Sequence, residues 1–114
     1  MPTTSVSDEI PTVTYFLVLL VPDSNHAAAS DHFAEHVRFI GTMTAANVVL
    51  LGGEFESTVE GAEGAYLLHV ETHEAAQSWA ARDPLIREKA YRPKIIPWRL
   101  VGIALGAADP RLKV

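Results

Sequence analysis

The chain contains no cysteine, which removes disulfides, thiolate nucleophiles and cysteine metal sites together. Positive charge is scarce: nine Lys and Arg stand against fourteen Asp and Glu, a net charge of −5. Nucleic-acid binding rests on clustered cations that neutralise phosphates, so no nucleic-acid partner is expected. The one basic concentration, Arg82, Arg87, Lys89, Arg92, Lys94 and Arg99, includes Asp83 and Glu88 and reads as a solvated face. Long apolar runs are also missing. The longest, residues 15–21, has seven residues, where a bilayer span needs about twenty. Residues 1–11 lack the basic and apolar regions of a signal peptide, so the expectation is a soluble cytoplasmic protein with no membrane partner.

What is present is a high apolar fraction, 48% of 114 residues. A chain of this length can bury one core but not two, and it is too apolar and too weakly charged to be disordered. One domain is expected over residues 13–104, between a flexible N-terminal tail, 1–12, and a C-terminal tail, 105–114. Residues 14–21 (TYFLVLLV) form a continuous β-branched and aromatic run that suits a strand buried on both faces. From residue 27 to about 46 the period changes: Phe33, Val37, Ile40 and Thr44 follow the spacing of one helix face. Ser30 or Asn25 would cap this helix, and Asn47 would stop it. Residues 48–55 (VVLLGGEF) read as a second strand, 57–64 as a turn and 65–71 as a third strand, which makes a hairpin. Thr72 caps a second helix through Ala81 with Ala76, Trp79 and Ala80 on its buried stripe. Asp83 and Pro84 then begin a short helix as N-cap and first residue. Residues 92–102 form the last strand, in which Pro97 is permitted only at an edge or a bulge.

The order βαββαβ is that of a ferredoxin-like α+β fold. Two helices cover one face of a four-stranded sheet. Because the strands are apolar on both sides, a second copy of the chain is expected to cover the other face, giving a homodimeric α+β barrel.

Histidine supplies the candidate chemistry, since it changes charge near neutral pH. His26 lies in a loop, and His73 sits in the first turn of a helix. His32, Glu35 and His36 match the H-x-x-E-H pattern of some zinc peptidases, but those enzymes are far larger and take a third ligand downstream, so no metal is expected. His36 sits between Phe33 and Ile40 at the rim of the apolar helix face. Read from the residues alone, a rim histidine satisfied by a backbone carbonyl is favoured there over a catalytic one, and capping is a sufficient explanation of Asp83.

Three segments carry a family resemblance. They are His36 followed sixteen residues later by Gly52-Gly53, the stretch Ala75-Ala76-x-x-Trp79-Ala80-x-x-Asp83-Pro84, and Pro97-Trp98 downstream. Together they resemble the YciI-like (YCII-related) family over about residues 14–102. The resemblance implies a dimeric ferredoxin-like barrel with an active site built on a His and Asp pair, carried here by His36 and Asp83. It also implies similarity in fold to muconolactone isomerase-like proteins and to dehydrochlorinases that eliminate HCl from chlorinated hydroxyquinols. The expected function is a small cofactor-independent lyase or isomerase acting on a small organic substrate. Phe16, Phe39 and Trp98 would be apolar walls, and Arg38 or Arg82 would hold a substrate carboxylate. The alternative is a non-catalytic dimeric module that binds a small ligand or serves as an accessory to a partner. Glu54 stands where the family commonly has proline, which would add a carboxylate near the site.

Overall fold

In a computed structural model that describes residues 12–104 and 109–112, the first apolar run forms β1 (Val13–Pro22). The expected N-terminal tail, apart from Thr12, and the expected C-terminal tail, apart from residues 109–112, lie outside the described residues. A single 3₁₀ turn (His26–Ala28) leads into α1 (Ala29–Ala45). The hairpin β2 (Val49–Val59) and β3 (Ala62–Leu68) follows, then α2 (His73–Ala80), the one-turn α3 (Pro84–Arg87) and β4 (Tyr91–Leu100). The sheet is antiparallel throughout with strand order β2-β3-β1-β4, so the expected ferredoxin-like α+β topology is present.

Strand pairing fixes which residues share a face. Phe16, Val18 and Leu20 of β1 lie opposite Leu68, Tyr66 and Gly64 of β3, and with Val49, Ala76 and Ala80 they form the core under the helices. The alternate residues Tyr15, Leu17 and Leu19 lie beside Trp98, Ile96 and Lys94 of β4 and face the other side, which no helix covers. Leu51 and Trp98 are about half exposed there. Pro97 is accommodated because β4 is an edge strand.

Three expectations are corrected. Residues 57–64 are not a loop: β2 runs on to Val59 and β3 starts at Ala62, joined at Glu60 and Gly61, both with positive φ. A tight turn with φ above zero at both positions matches the right-handed twist of the strands it joins, which lets the β-branched Thr58 and Val59 extend β2. Neither Ser30 nor Asn25 caps α1; Asn25 occupies the N-cap of the 3₁₀ turn without a side-chain capping bond. Ala28 occupies the N-cap of α1 without a side-chain bond, and Asn25 donates instead to Glu88 O, 3.1 Å away. Nor is the apolar face of α1 fully buried. Ile40 and Met43 pack on the core, whereas Phe33 and Val37 remain more than half exposed. The caps on Thr72 and Asp83 form as expected, at 3.0 Å to Ala75 N and 3.0 Å to Leu85 N.

Candidate functional site

Phe33 and Val37 are exposed because α1 does not close onto the β2–β3 hairpin. A cleft of about 830 Å³ separates them. Its α1 wall carries Ala29, Ser30, Phe33, His36, Val37 and Ile40, and the hairpin supplies Gly52, Glu54, Gly64 and Tyr66. The glycines are required by close approach. A Cβ on Gly52 would lie 2.9 Å from Tyr66 Cβ, and one on Gly64 would lie 2.8 Å from the carbonyl oxygen of Gly53. Of the glycine pair read from the sequence, Gly52 lets β2 seat tightly against Tyr66 beside the cleft, whereas a Cβ on Gly53 would meet nothing within 4 Å.

His36 projects from α1 toward α3, where Asp83 is wholly buried. His36 Nδ1 and Asp83 Oδ1 are 2.8 Å apart, and the same oxygen accepts the capping bond from Leu85 N. An ionised carboxylate only accepts, so the proton of a neutral ring sits on Nδ1 and the lone pair on Nε2, which has no hydrogen-bond partner among the described residues. The capping and pairing roles of Asp83 therefore coexist on one oxygen. Asp83 Oδ2 and the Tyr66 hydroxyl are both buried, and among the described residues neither meets a partner at hydrogen-bonding geometry. The two groups still sense each other. Burial, and then the Asp83 charge, holds the Tyr66 phenol far above its usual range, so it stays protonated. Sequence reading missed Tyr66, because in AYLLHVE it is one apolar strand residue among several.

A second polar group borders the same cleft at the end where α1 begins. Tyr91 Oη donates to Glu63 Oε1 at 2.5 Å, and His26 Nε2 lies 3.0 Å from that oxygen and 3.2 Å from the hydroxyl. Hydrogen bonds from Tyr91 and then His26 hold the Glu63 carboxyl below its ordinary value, and burial followed by the Glu63 bond pushes the Tyr91 phenol up to about 12. Sequence reading passed over this group because Tyr91 and His26 stand 28 and 37 residues from Glu63 and meet it only when β3, β4 and the 3₁₀ turn come together in the fold.

The other expected site residues lie elsewhere. Phe16 belongs to the core and meets His73 edge-on. Trp98 is on the uncovered sheet face, Arg38 is exposed on α1, and the half-buried Phe39 is not part of the cleft lining. Arg82 stacks its guanidinium 4.5 Å over Trp79. Residues two apart on a helix do not face each other, which separates Arg38 from His36, and Phe16 points from the sheet into the core rather than into the cleft. Glu54 does line the cleft. The H-x-x-E-H residues do not converge: Glu35 pairs with Arg87 at 3.2 Å, while His32 has a buried, unpartnered Nδ1. Among the described residues no three His, Asp or Glu side chains gather at metal-binding distance, and no helix is long and apolar enough to cross a membrane.

No curated protein matches the chain. Among solved structures, it is similar to 5-chloro-2-hydroxyhydroquinone dehydrochlorinase from Burkholderia phenoliruptrix AC1100 in complex with 2,5-dihydroxybenzoquinone, with a TM-score of 0.58 and 13% identity. The match covers 75% of this chain and 93% of that one, and at this identity it speaks for the fold. By sequence, the YCII-related domain matches residues 14–99, most of the chain and nearly all of the sheet. The chain belongs to the YCII-related domain family.

Proposed function

We propose that the protein is a small lyase or isomerase that moves protons on a small organic substrate, with His36 as general base and then acid. The observation that carries this reading is the 2.8 Å contact between His36 Nδ1 and the buried Asp83, which leaves Nε2 without a partner among the described residues, in a residue that lines the cleft. Asp83 fixes the tautomer and stabilises the imidazolium once His36 has taken a proton. Tyr66, kept protonated beside the pair, is a neutral neighbour that does not compete for that proton. Chemistry of this kind is worth about 10²- to 10⁴-fold in rate.

The reaction named for the solved neighbour, a dehydrochlorination, fits the equipment. Loss of HCl takes one proton to the base and releases chloride with the carbon–chlorine bonding pair, with no outside oxidant. An isomerisation would use the same pair to remove a proton at one carbon and return it at another. Chloride release from 5-chloro-2-hydroxyhydroquinone is the direct assay. His36→Ala should lower turnover by about 10²-fold or more while keeping a cooperative unfolding transition. Full turnover in that variant would remove the dyad from the mechanism, and binding without turnover in either protein would favour the non-catalytic reading.

The uncovered face, with Leu17, Leu51, Ile96 and Trp98, supports a homodimer packed sheet to sheet. Sedimentation velocity at micromolar concentration should give a dimer; a monomer would count against it. A chain without cysteine also suits a reducing cytoplasm.

A further inference from the structure

From the second polar group we infer that Glu63 is the specificity-determining acceptor of the cleft, and that it selects a neutral ligand bearing hydroxyl donors over a carboxylate-bearing one. The inference rests on the cleft being the substrate site, as proposed above, but not on His36 performing catalysis.

Three observations carry it. Both donors in the group, Tyr91 Oη and His26 Nε2, converge on one oxygen, Glu63 Oε1. Among the described residues no group bonds Oε2, so the carboxylate is held at one oxygen and offers the other as an acceptor. The three residues come from the 3₁₀ turn, β3 and β4, so the carboxylate is fixed to separate parts of the fold rather than left to swing on its strand. Finally, the charges around the cleft have one sign. Glu54, Glu56 and Glu63 line it, and no Lys or Arg does among the described residues.

A carboxylate ligand would therefore meet three carboxylates with no Lys or Arg to offset them, the His36 ring being charged only once it has taken a proton. A hydroxyl on a neutral ring would donate to Glu63 Oε2, a charge-assisted bond about twice as strong as a neutral one. Ser30, Ser57 and Thr58 on the lining can act either as donors or as acceptors and leave this preference unchanged. The sequence-based expectation that Arg38 or Arg82 holds a substrate carboxylate is replaced by its opposite, because neither side chain lines the cleft.

The test is binding, read without turnover. Amide NMR titrations of the wild-type protein compare 1,2,4-trihydroxybenzene, kept anaerobic, with 3,4-dihydroxybenzoate, a ring of similar size that carries a carboxylate. The trihydroxy ring should perturb Ser30, Gly52 and Gly64 and bind about tenfold or more tighter than the acid, the scale of one hydrogen bond to a charged group. Glu63→Gln should weaken the neutral ring by about tenfold and the acid little or not at all, so that the preference collapses. Tyr91→Phe frees the carboxylate without neutralising it and should narrow the preference part of the way. Equal loss for both rings in Glu63→Gln would mark a merely structural role and overturn the inference. So would a wild-type preference for the acid, or failure of both rings to bind. His36→Ala should keep the preference; if it does while turnover is also unaffected, the catalytic reading fails and the assignment of Glu63 stands.

Discussion

Two histidine–carboxylate pairs border one cleft, and they differ in where the carboxylate sits. Asp83 is wholly buried beneath His36, whereas Glu63 and His26 each keep more than a third of their side chains in water. At similar distances, 2.8 and 3.0 Å, the two contacts have different consequences. Water screens the exposed pair, so its value lies in aiming a carboxylate rather than in stability. Among the described residues the buried carboxylate is hydrogen-bonded by His36 Nδ1 and Leu85 N alone, so each of those bonds bears on whether α3 docks at all.

Paired truncations test this difference. Asp83→Ala should destabilise the fold by about 3 kcal/mol in urea unfolding, since it removes the α3 cap and strands the buried His36 Nδ1 together. His26→Ala should cost about 0.5 kcal/mol or less. Similar losses at the two positions would erase the contrast. A smaller effect comes with alkaline pH. The folded-state pKa of Tyr91 lies above the ordinary phenol value, so its contribution to stability is complete below about pH 10 and is lost as pH rises through about 12. Unfolding free energy should decline over that window, and Tyr91→Phe should remove the Tyr91 share of the decline. An unchanged slope in Tyr91→Phe would show that the second group does not hold its proton more tightly than an unfolded chain does.

The sequence was most informative where a signal is local. The apolar run of β1, the Thr72 cap and the Asp83-Pro84 helix start each depend on residues within a few positions, and each forms as read. The pairing of His36 with Asp83 spans 47 residues and was accessible only through family resemblance, because no local pattern encodes it. The β2–β3 turn was misplaced because Glu60 adopts a positive φ that its side chain does not advertise. Periodicity marked Phe33 and Val37 as apolar, but it does not distinguish a core face from a cleft wall. Only the spacing between α1 and the hairpin decides that, and it also explains why the walls proposed from the sequence, Phe16, Phe39 and Trp98, stand apart from the cleft.

The two prolines of β4 have a bearing on solubility. Backbone N–H groups alternate in direction along a strand, so Pro93 and Pro97, four residues apart, delete donors from the same side. The ladder to β1 is continuous from Val13 opposite Leu100 to Pro22 opposite Tyr91, so the deleted donors lie on the outer rim. That rim also carries exposed Arg92, Lys94 and Arg99. A foreign strand adding there would find gaps in the hydrogen-bond template and a row of positive charge, which is how β-proteins resist growing into fibrils from an open edge.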